Sequence, residues 1–454
     1  MAVDLTYWLF AASCALLVWQ GFRQRDGMLQ YPFLMGAVFT CYLLYQATGL
    51  YLHRGSVPED AFSRMLLISA LCCLACYLGY RVRPLRQRPG SSSYSSARLM
   101  AVGVLMTCVA WVAYYKLTSL TGGFFSFFTT EGGYSYEWRG LPVRYIFFVG
   151  FAYPALVLLL VSYLERPSKV RLAVCAWGFV VPLAFLFLRA RRSVFAMVLL
   201  IGLLPVYFYR RWLPPRVVIV PGLILALLVL MLFPRYRRYT QIGAEHSGIA
   251  DVSVRESLAE GLVPEGVDAF KNGVYAVGGI TRMGGYGLGL GFYDDVVAHF
   301  VPRQIVGERV KADLMVREGW VDMARVLAYG HARPANQFYT GPASAYTEFW
   351  YFGSLFYFLL GMLFRNLWVR ATRDGCVASR VLYASLIYTA MNSIAFSAFI
   401  FVSRALWTVA LLGAALIWAR RRHGVPLARV SRGGPERALL GEALPGANKE
   451  AGTA

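Results

Sequence analysis

"LAVCAWGFVVPLAFLFLRARRSVFAMVLLIGLLPVYF" (residues 172–208) decides how this chain is read. Two apolar runs, 172–188 and 193–209, flank a turn that carries Arg189, Arg191 and Arg192. Each run has about the length, roughly 17–25 residues, that lets a helix cross some 30 Å of hydrocarbon. Guanidinium groups do not rest in that hydrocarbon, since one at the centre costs about 2.5–3.5 kcal/mol on insertion scales. The turn therefore belongs at a membrane boundary, and its flanks form a helical hairpin. Which boundary it occupies depends on the rest of the chain.

Such runs recur along all 454 residues. The chain is 58% hydrophobic and only 15% charged, where a soluble protein carries about a quarter. The mean hydropathy is +0.51. Barrel-type alternation is absent, so helices must satisfy the backbone in lipid. The expected fold is an all-α polytopic membrane protein with eleven helices, at 5–21, 29–52, 61–80, 99–120, 144–164, 172–188, 193–209, 217–233, 346–364, 381–402 and 405–419. Counting through them puts six basic connections on one side: "RQRD" (23–26), "RVRPLRQRPGSSSYSSAR" (81–98), "ERPSKVR" (165–171), "RRWLPPR" (210–216), "RNLWVRATRDGCVASR" (365–380) and the tail from "RRRHG" (420–424). Positive loops mark the cytoplasmic face, so the N-terminus is expected outside and the C-terminus inside. The net charge of +21, which would suggest nucleic acid in a soluble protein, is here mostly loop arginine.

The remaining connections face outward: 53–60, 121–143, 189–192, 234–345 and the turn near Arg404. "RARR" thus stands on the face where the charge rule disfavours it. The chain divides into helices 1–8 (1–233), a large, partly helical outer loop domain between helices 8 and 9 (234–345), helices 9–11 (346–422) and a tail (423–454) expected to be disordered. Within the loop, "ADVSVRESLAEGLV" (250–263) and "DLMVREGWVDMARVL" (313–327) have helical spacing. "SVPEDAF" (56–62) reads as a capping box with Ser56 as N-cap and Glu59 at the third position. "GGYGLGLG" (284–291) reads as a flexible turn, and Asp294 and Asp295 as solvated. Seven of the eight cysteines fall inside predicted spans, so neither a disulfide framework nor a zinc site is expected, and Cys73 and Cys76 read as core packing. The first apolar run lacks a basic leader and a small-residue cleavage site, so it is expected to stay as an anchor.

The outward cationic set is the strongest chemical signal. Beside Arg189, Arg191 and Arg192 it includes Arg235, Arg237 and Arg238 after the eighth span, and Arg404 near the last. The loop adds Arg282, Arg303, Arg309, Lys311, Arg317, Arg325 and Arg333. The guanidinium fork donates two parallel hydrogen bonds to phosphate. Such a set could hold a lipid-linked pyrophosphate; it could also meet anionic headgroups or pair with acids of the loop. Glu348, an ionisable residue near a span's outer end, is a candidate base or a helix-terminus carboxylate. His331, just before Arg333, is the second candidate base; His246 and His299 rank below it.

"ASAYTEFWYFGSLFYFLLGMLF" (343–364) resembles the segment that opens the span after the large outer loop in bacterial O-antigen and oligosaccharide repeat-unit polymerases (Wzy-type). "YGLGLGFYDDVVAHFVPRQIVGERVKADL" (286–314) is similar to that family's loop segment, with "GERVKAD" where a Lys-Pro often stands, and "RARRS" to its arginine turn. The resemblance covers the architecture and roughly 190–365. It implies glycosyl transfer between undecaprenyl-pyrophosphate-linked glycans at the periplasmic face of the inner membrane, with neither nucleotide sugar, metal nor other cofactor. Arginines would stabilise the departing pyrophosphate. Glu348 or His331 would take the proton of the attacking hydroxyl. Membrane lipid and a chain-length regulator protein are the other partners implied. Three alternatives stay open: a lipid-linked O-antigen ligase, a flippase or transporter, and a structural member of a secretion complex.

Overall fold

Two glycines set the central helix crossing. A Cβ at Gly79 would lie 2.0 Å from the carbonyl oxygen of Phe358, and one at Gly361 would lie 2.8 Å from the amide nitrogen of Tyr80. Only residues without a side chain let the two backbones approach so closely, the device by which membrane helices gain packing where water supplies no drive. The helices are α3 (Glu59–Arg81) and α14 (Ser354–Thr372). They belong to a computed structural model that describes residues 3–53, 55–84, 94–120, 143–189, 192–213, 269–301, 306–317, 319–332 and 339–420. At 185–189 and 192–193 it describes the backbone alone.

The other helices follow in chain order: α1 Val3–Arg23, α2 Tyr31–Leu52, α4 Ser96–Leu120, α5 Val143–Val149, α6 Ala152–Glu165, α7 Lys169–Arg189, α8 Arg192–Arg210, α9 Ala269–Met283, α10 Leu290–Phe300, α11 Glu308–Leu314, α12 Trp320–Tyr329, α13 Gly341–Phe349, α15 Val377–Ala395 and α16 Phe399–Ala419. Among the described residues the regular structure is helical, with one isolated bridge between Tyr94 and Arg420. Seven helical stretches are long and apolar enough to cross a membrane: α1, α2, α3, Ser96–Ser119, Phe147–Glu165, Gly341–Thr372 and α16. This is a multi-pass membrane protein. The hairpin expected around 189–192 is present as α7 and α8. The expected eighth span (217–233), the segment 250–263 and the tail from 421 lie outside the described residues.

α3 forms the spine, packed against α1, α9, α13 and α14. Its neighbours interlock through buried aromatics: the rings of Tyr31 and Phe364 stack at 5.0 Å, and Phe364 meets Tyr383 edge-on at 5.5 Å. α2 is continuous through a π-helical turn at Phe39–Leu44. Beyond that turn the Gln46 side chain accepts a 2.9 Å hydrogen bond from the Phe270 amide in the first turn of α9.

Four boundaries depart from expectation, each for a local reason. The predicted helix 144–164 breaks at 150–151, because Pro154 has no N–H for the carbonyl of Gly150 and its ring crowds that group. The predicted span 346–364 is two helices: Thr340 caps α13, with its hydroxyl accepting from the Ala343 amide, and Trp350 then turns the chain at φ +53° before α14. The predicted helices 381–402 and 405–419 divide at 396–398, where the Ser344 hydroxyl accepts the Ala398 amide at 2.8 Å. Arg404 consequently sits exposed within α16, away from any turn. The predicted helix 313–327 is split because Asp294 takes the Val316 and Arg317 amides at 2.8 and 2.7 Å. The capping box at Ser56 is also absent: α3 starts at Glu59 with Pro58 as N-cap and no side-chain cap.

Gly79→Leu or Gly361→Leu must separate α3 from α14, an overpacking cost of about 1–3 kcal/mol or more. Gly49→Leu has open space to fill, since no atom lies within 4 Å of where a Cβ on Gly49 would stand. Thermal unfolding in detergent should show a lowered midpoint for the first two variants and an unchanged one for the third.

Candidate functional site

At the end of the bundle where α2 connects to α3, an arginine enters an otherwise apolar helix. Arg64 lies in the second turn of α3, half-buried, and its guanidinium hydrogen-bonds the hydroxyls of Tyr346 and Tyr351. Tyr346 comes from α13 and is fully buried; Tyr351 comes from the turn that separates α13 from α14. The Tyr346 hydroxyl continues the network to Thr281 Oγ1 at 3.0 Å and to the Tyr286 hydroxyl at 3.5 Å. Burial and then the Tyr346 hydroxyl push the Tyr286 phenol up to about 12. It therefore keeps its proton at neutral pH and remains a donor.

A second guanidinium stands beside the first. Arg282, at the end of α9, lies 4.1 Å over the Tyr329 ring and donates to the Ala328 carbonyl at 3.1 Å. Arg64, Arg282 and the Asp60 carboxylate all act on the Tyr329 hydroxyl; burial, with Asp60 next, raises that phenol. Two arginines and several phenolic donors thus share one rim. Such a surface can bind an anion through charge-assisted hydrogen bonds and stack a sugar on its rings.

Glu348 is bound to this rim by the glycine-rich turn. Its Oε2 accepts the amides of Gly289 at 3.0 Å and Gly291 at 3.1 Å, the N-cap and second residue of α10. The turn is also stitched by Gly287 N–H to the Thr347 carbonyl and Leu288 N–H to the Glu348 carbonyl. A Cβ at Gly287 would meet the carboxylate at 2.0 Å and one at Gly291 at 2.4 Å. "GGYGLGLG" is therefore a fitted cradle around a buried carboxylate, not the loose turn expected. The carboxylate serves a helix N-terminus, as expected of such a group, but that of α10 rather than its own.

The other acids and cations of the loop are also engaged. Asp294 is buried, contrary to the expectation of solvation, and holds the two amides before α12. Arg317 donates to the Gly285 carbonyl at 2.6 Å, and Lys311 to that of Ala298 at 2.7 Å. Arg325 is fully buried and pairs with Asp322 at 2.7 Å. Arg309 is exposed on α11. His331 stacks on Tyr275 at 4.0 Å and bonds Asn272 Oδ1 at 3.1 Å. Asn272 stands nine residues before Thr281 on α9, about 13 Å along the axis, so His331 sits at another level from the Tyr346 network.

Of the expected phosphate-binding set, the structure brings Arg282 to the rim and leaves Arg404 exposed on α16. Arg189 ends α7 and Arg192 begins α8, with backbone alone described. Arg191, Arg235, Arg237, Arg238, Arg303, Arg333 and His246 lie outside the described residues, as does the side chain of His299. Reading the loops alone misses Arg64; its signal is a lone charge inside the run 61–80. Among the described residues no group of three or more His, Cys, Asp or Glu side chains could hold a metal ion.

Glu348→Ala would strand two amides, at about 1–3 kcal/mol each. Hydrogen exchange at Gly289 and Gly291 should accelerate roughly five- to a hundredfold. Glu348→Gln keeps an acceptor and should retain most of the protection. No family model matches the chain, and neither a curated protein nor a solved structure matches it.

Proposed function

We propose that this protein polymerises undecaprenyl-pyrophosphate-linked oligosaccharide repeat units at the periplasmic face of a bacterial inner membrane. A hydroxyl of the incoming lipid-linked unit attacks the anomeric carbon of the growing chain. The bond to the pyrophosphate oxygen breaks, and the carrier leaves with both electrons of that bond. Arg189, Arg191, Arg192, Arg235, Arg238, Arg282, Arg303 and Arg404, with Arg64 added, would neutralise the charge on the departing pyrophosphate. A preorganised donor in such a role is worth about 10²–10³ in rate. The hydroxyl proton passes to Glu348 or His331.

The observation that carries this reading is the rim itself. Arg64 and Arg282 meet around Tyr329, while Arg64 also holds Tyr346 and Tyr351, at the bundle end that the positive-inside pattern puts outside. In that orientation the N-terminus is periplasmic and the C-terminus cytoplasmic. Transport is less well supported, because cations gathered at one end do not line a path through the helices.

Deleting the gene and resolving the cell's glycans on a gel tests the reaction class. A polymerase leaves lipid A bearing one repeat unit. Long chains stranded on the undecaprenyl carrier would mean a ligase, and units held on the cytoplasmic face a flippase. In the same assay Arg64→Ala, Arg191→Ala and Arg192→Ala should each abolish chain growth at unchanged protein abundance. Normal chain lengths in all three would remove the arginines from the reaction. Glu348→Gln separates the two bases: lost growth with preserved exchange protection points to Glu348, and retained growth to His331.

A further inference from the structure

At the opposite end of the bundle an apolar groove runs between α4 and α16. Its cavity of about 480 Å³ is lined by Leu105, Met106, Val109, Phe151, Leu411 and Trp418, among others. Leu105 and Trp418 are 64% and 54% exposed, so the groove opens sideways into the surroundings of two membrane-crossing helices. One turn before it stands Arg98. Its Nη1 donates to the carbonyls of Trp418 and Arg420, both at 3.3 Å, and its guanidinium lies 5.8 Å over the Trp418 ring. The mouth is a built one: Ser95 N–H donates to the Ala419 carbonyl at 2.9 Å, Tyr94 bridges Arg420, and Arg171 buttresses Ser96 at 2.6 Å.

We propose that this groove binds one anionic phospholipid, its acyl chain against α4 and α16 and its phosphate on Arg98 and Arg420. The lining admits only hydrocarbon, and the mouth is cationic on both sides. Only Nη1 of Arg98 is committed to the two carbonyls, so its Nη2 and Nε donors face the headgroup zone. Length selects the occupant. From Arg98 to Val109 the helix rises about 16 Å, close to half of a hydrocarbon core about 30 Å thick. That fits a lipid confined to one leaflet. The site shares no residue with the rim around Arg64, so it stands or falls independently of the reaction proposed above.

The test uses the purified full-length protein in phosphatidylcholine vesicles doped at equal mole fraction with acyl-brominated phosphatidylglycerol or acyl-brominated phosphatidylcholine. Bromine quenches indole fluorescence on contact, and subtracting a Trp418→Phe variant isolates Trp418 from the other tryptophans. The anionic lipid should be enriched at Trp418 by about fivefold per engaged arginine, and less as salt rises. Arg98→Gln should bring its quenching down towards that of phosphatidylcholine. Ala414→Phe, which fills the groove and leaves Arg98 intact, should lower quenching by both lipids and covers the case in which Arg98→Gln does not fold. Equal quenching by the two lipids in the unaltered protein, or an anionic preference that survives Arg98→Gln, would overturn the proposal.

Discussion

The contact of α3 with α14 at Gly79 and Gly361 governs the arrangement of everything around it. Lipid tails are as apolar as leucine, so helices in a bilayer gain little by hiding side chains from one another. They gain by close packing, and the closest approach is backbone to backbone. Fixing α14 against α3 also fixes the turn at Trp350–Gly353 that begins α14, and with it α13. Gly353 repeats the device on a smaller scale, since a Cβ there would lie 2.2 Å from the Ala345 carbonyl. Tyr346 and Tyr351 thereby arrive at Arg64 as parts of a rigid frame.

A second constraint ties the loop region to that frame. A buried carboxylate with two charge-assisted hydrogen bonds is worth more than neutral contacts, and an unfilled acceptor in that position would be costly. Glu348 therefore holds α10 and the preceding aromatic turn to the bundle. Asp294, one turn further along α10, then holds the start of the next segment through the Val316 and Arg317 amides. Two carboxylates, one after the other, carry positional information from the membrane helices into the loop. This role for Glu348 is compatible with a reactive one only if its other oxygen reaches substrate.

Span lengths were legible in the sequence because hydrocarbon thickness imposes them, and α1, α3, α7 and α8 match their apolar runs within a few residues. The breaks were less legible. Pro154 was a readable signal, but Trp350 turns the chain with a residue that has no turn preference, and the division at 396–398 depends on Ser344, far away in sequence. Arg404 stood out as a charge between apolar stretches and so suggested a turn, whereas a long exposed side chain is tolerated near a helix end. The glycine-rich turn failed for a related reason. Glycine spacing reports freedom of the backbone but not what occupies the space, and the occupant, Glu348, comes from another helix. α9 went unread because its small residues and modest hydrophobicity suit tight packing between helices, a property that periodicity alone does not register.

The π-helical turn at Phe39–Leu44 has a further effect on α2. A wider turn accommodates one extra residue, which advances everything beyond it by about 100° around the axis. α2 therefore presents one face to the bundle below the turn and a rotated face above it. Gln46 lies above, and this rotation aims its amide oxygen at Phe270. A helix of uniform pitch would direct Gln46 elsewhere and leave that amide, one of the unpaired donors at the start of α9, without its acceptor. The irregularity thus lets a single straight rod address two sets of neighbours that are out of phase with each other.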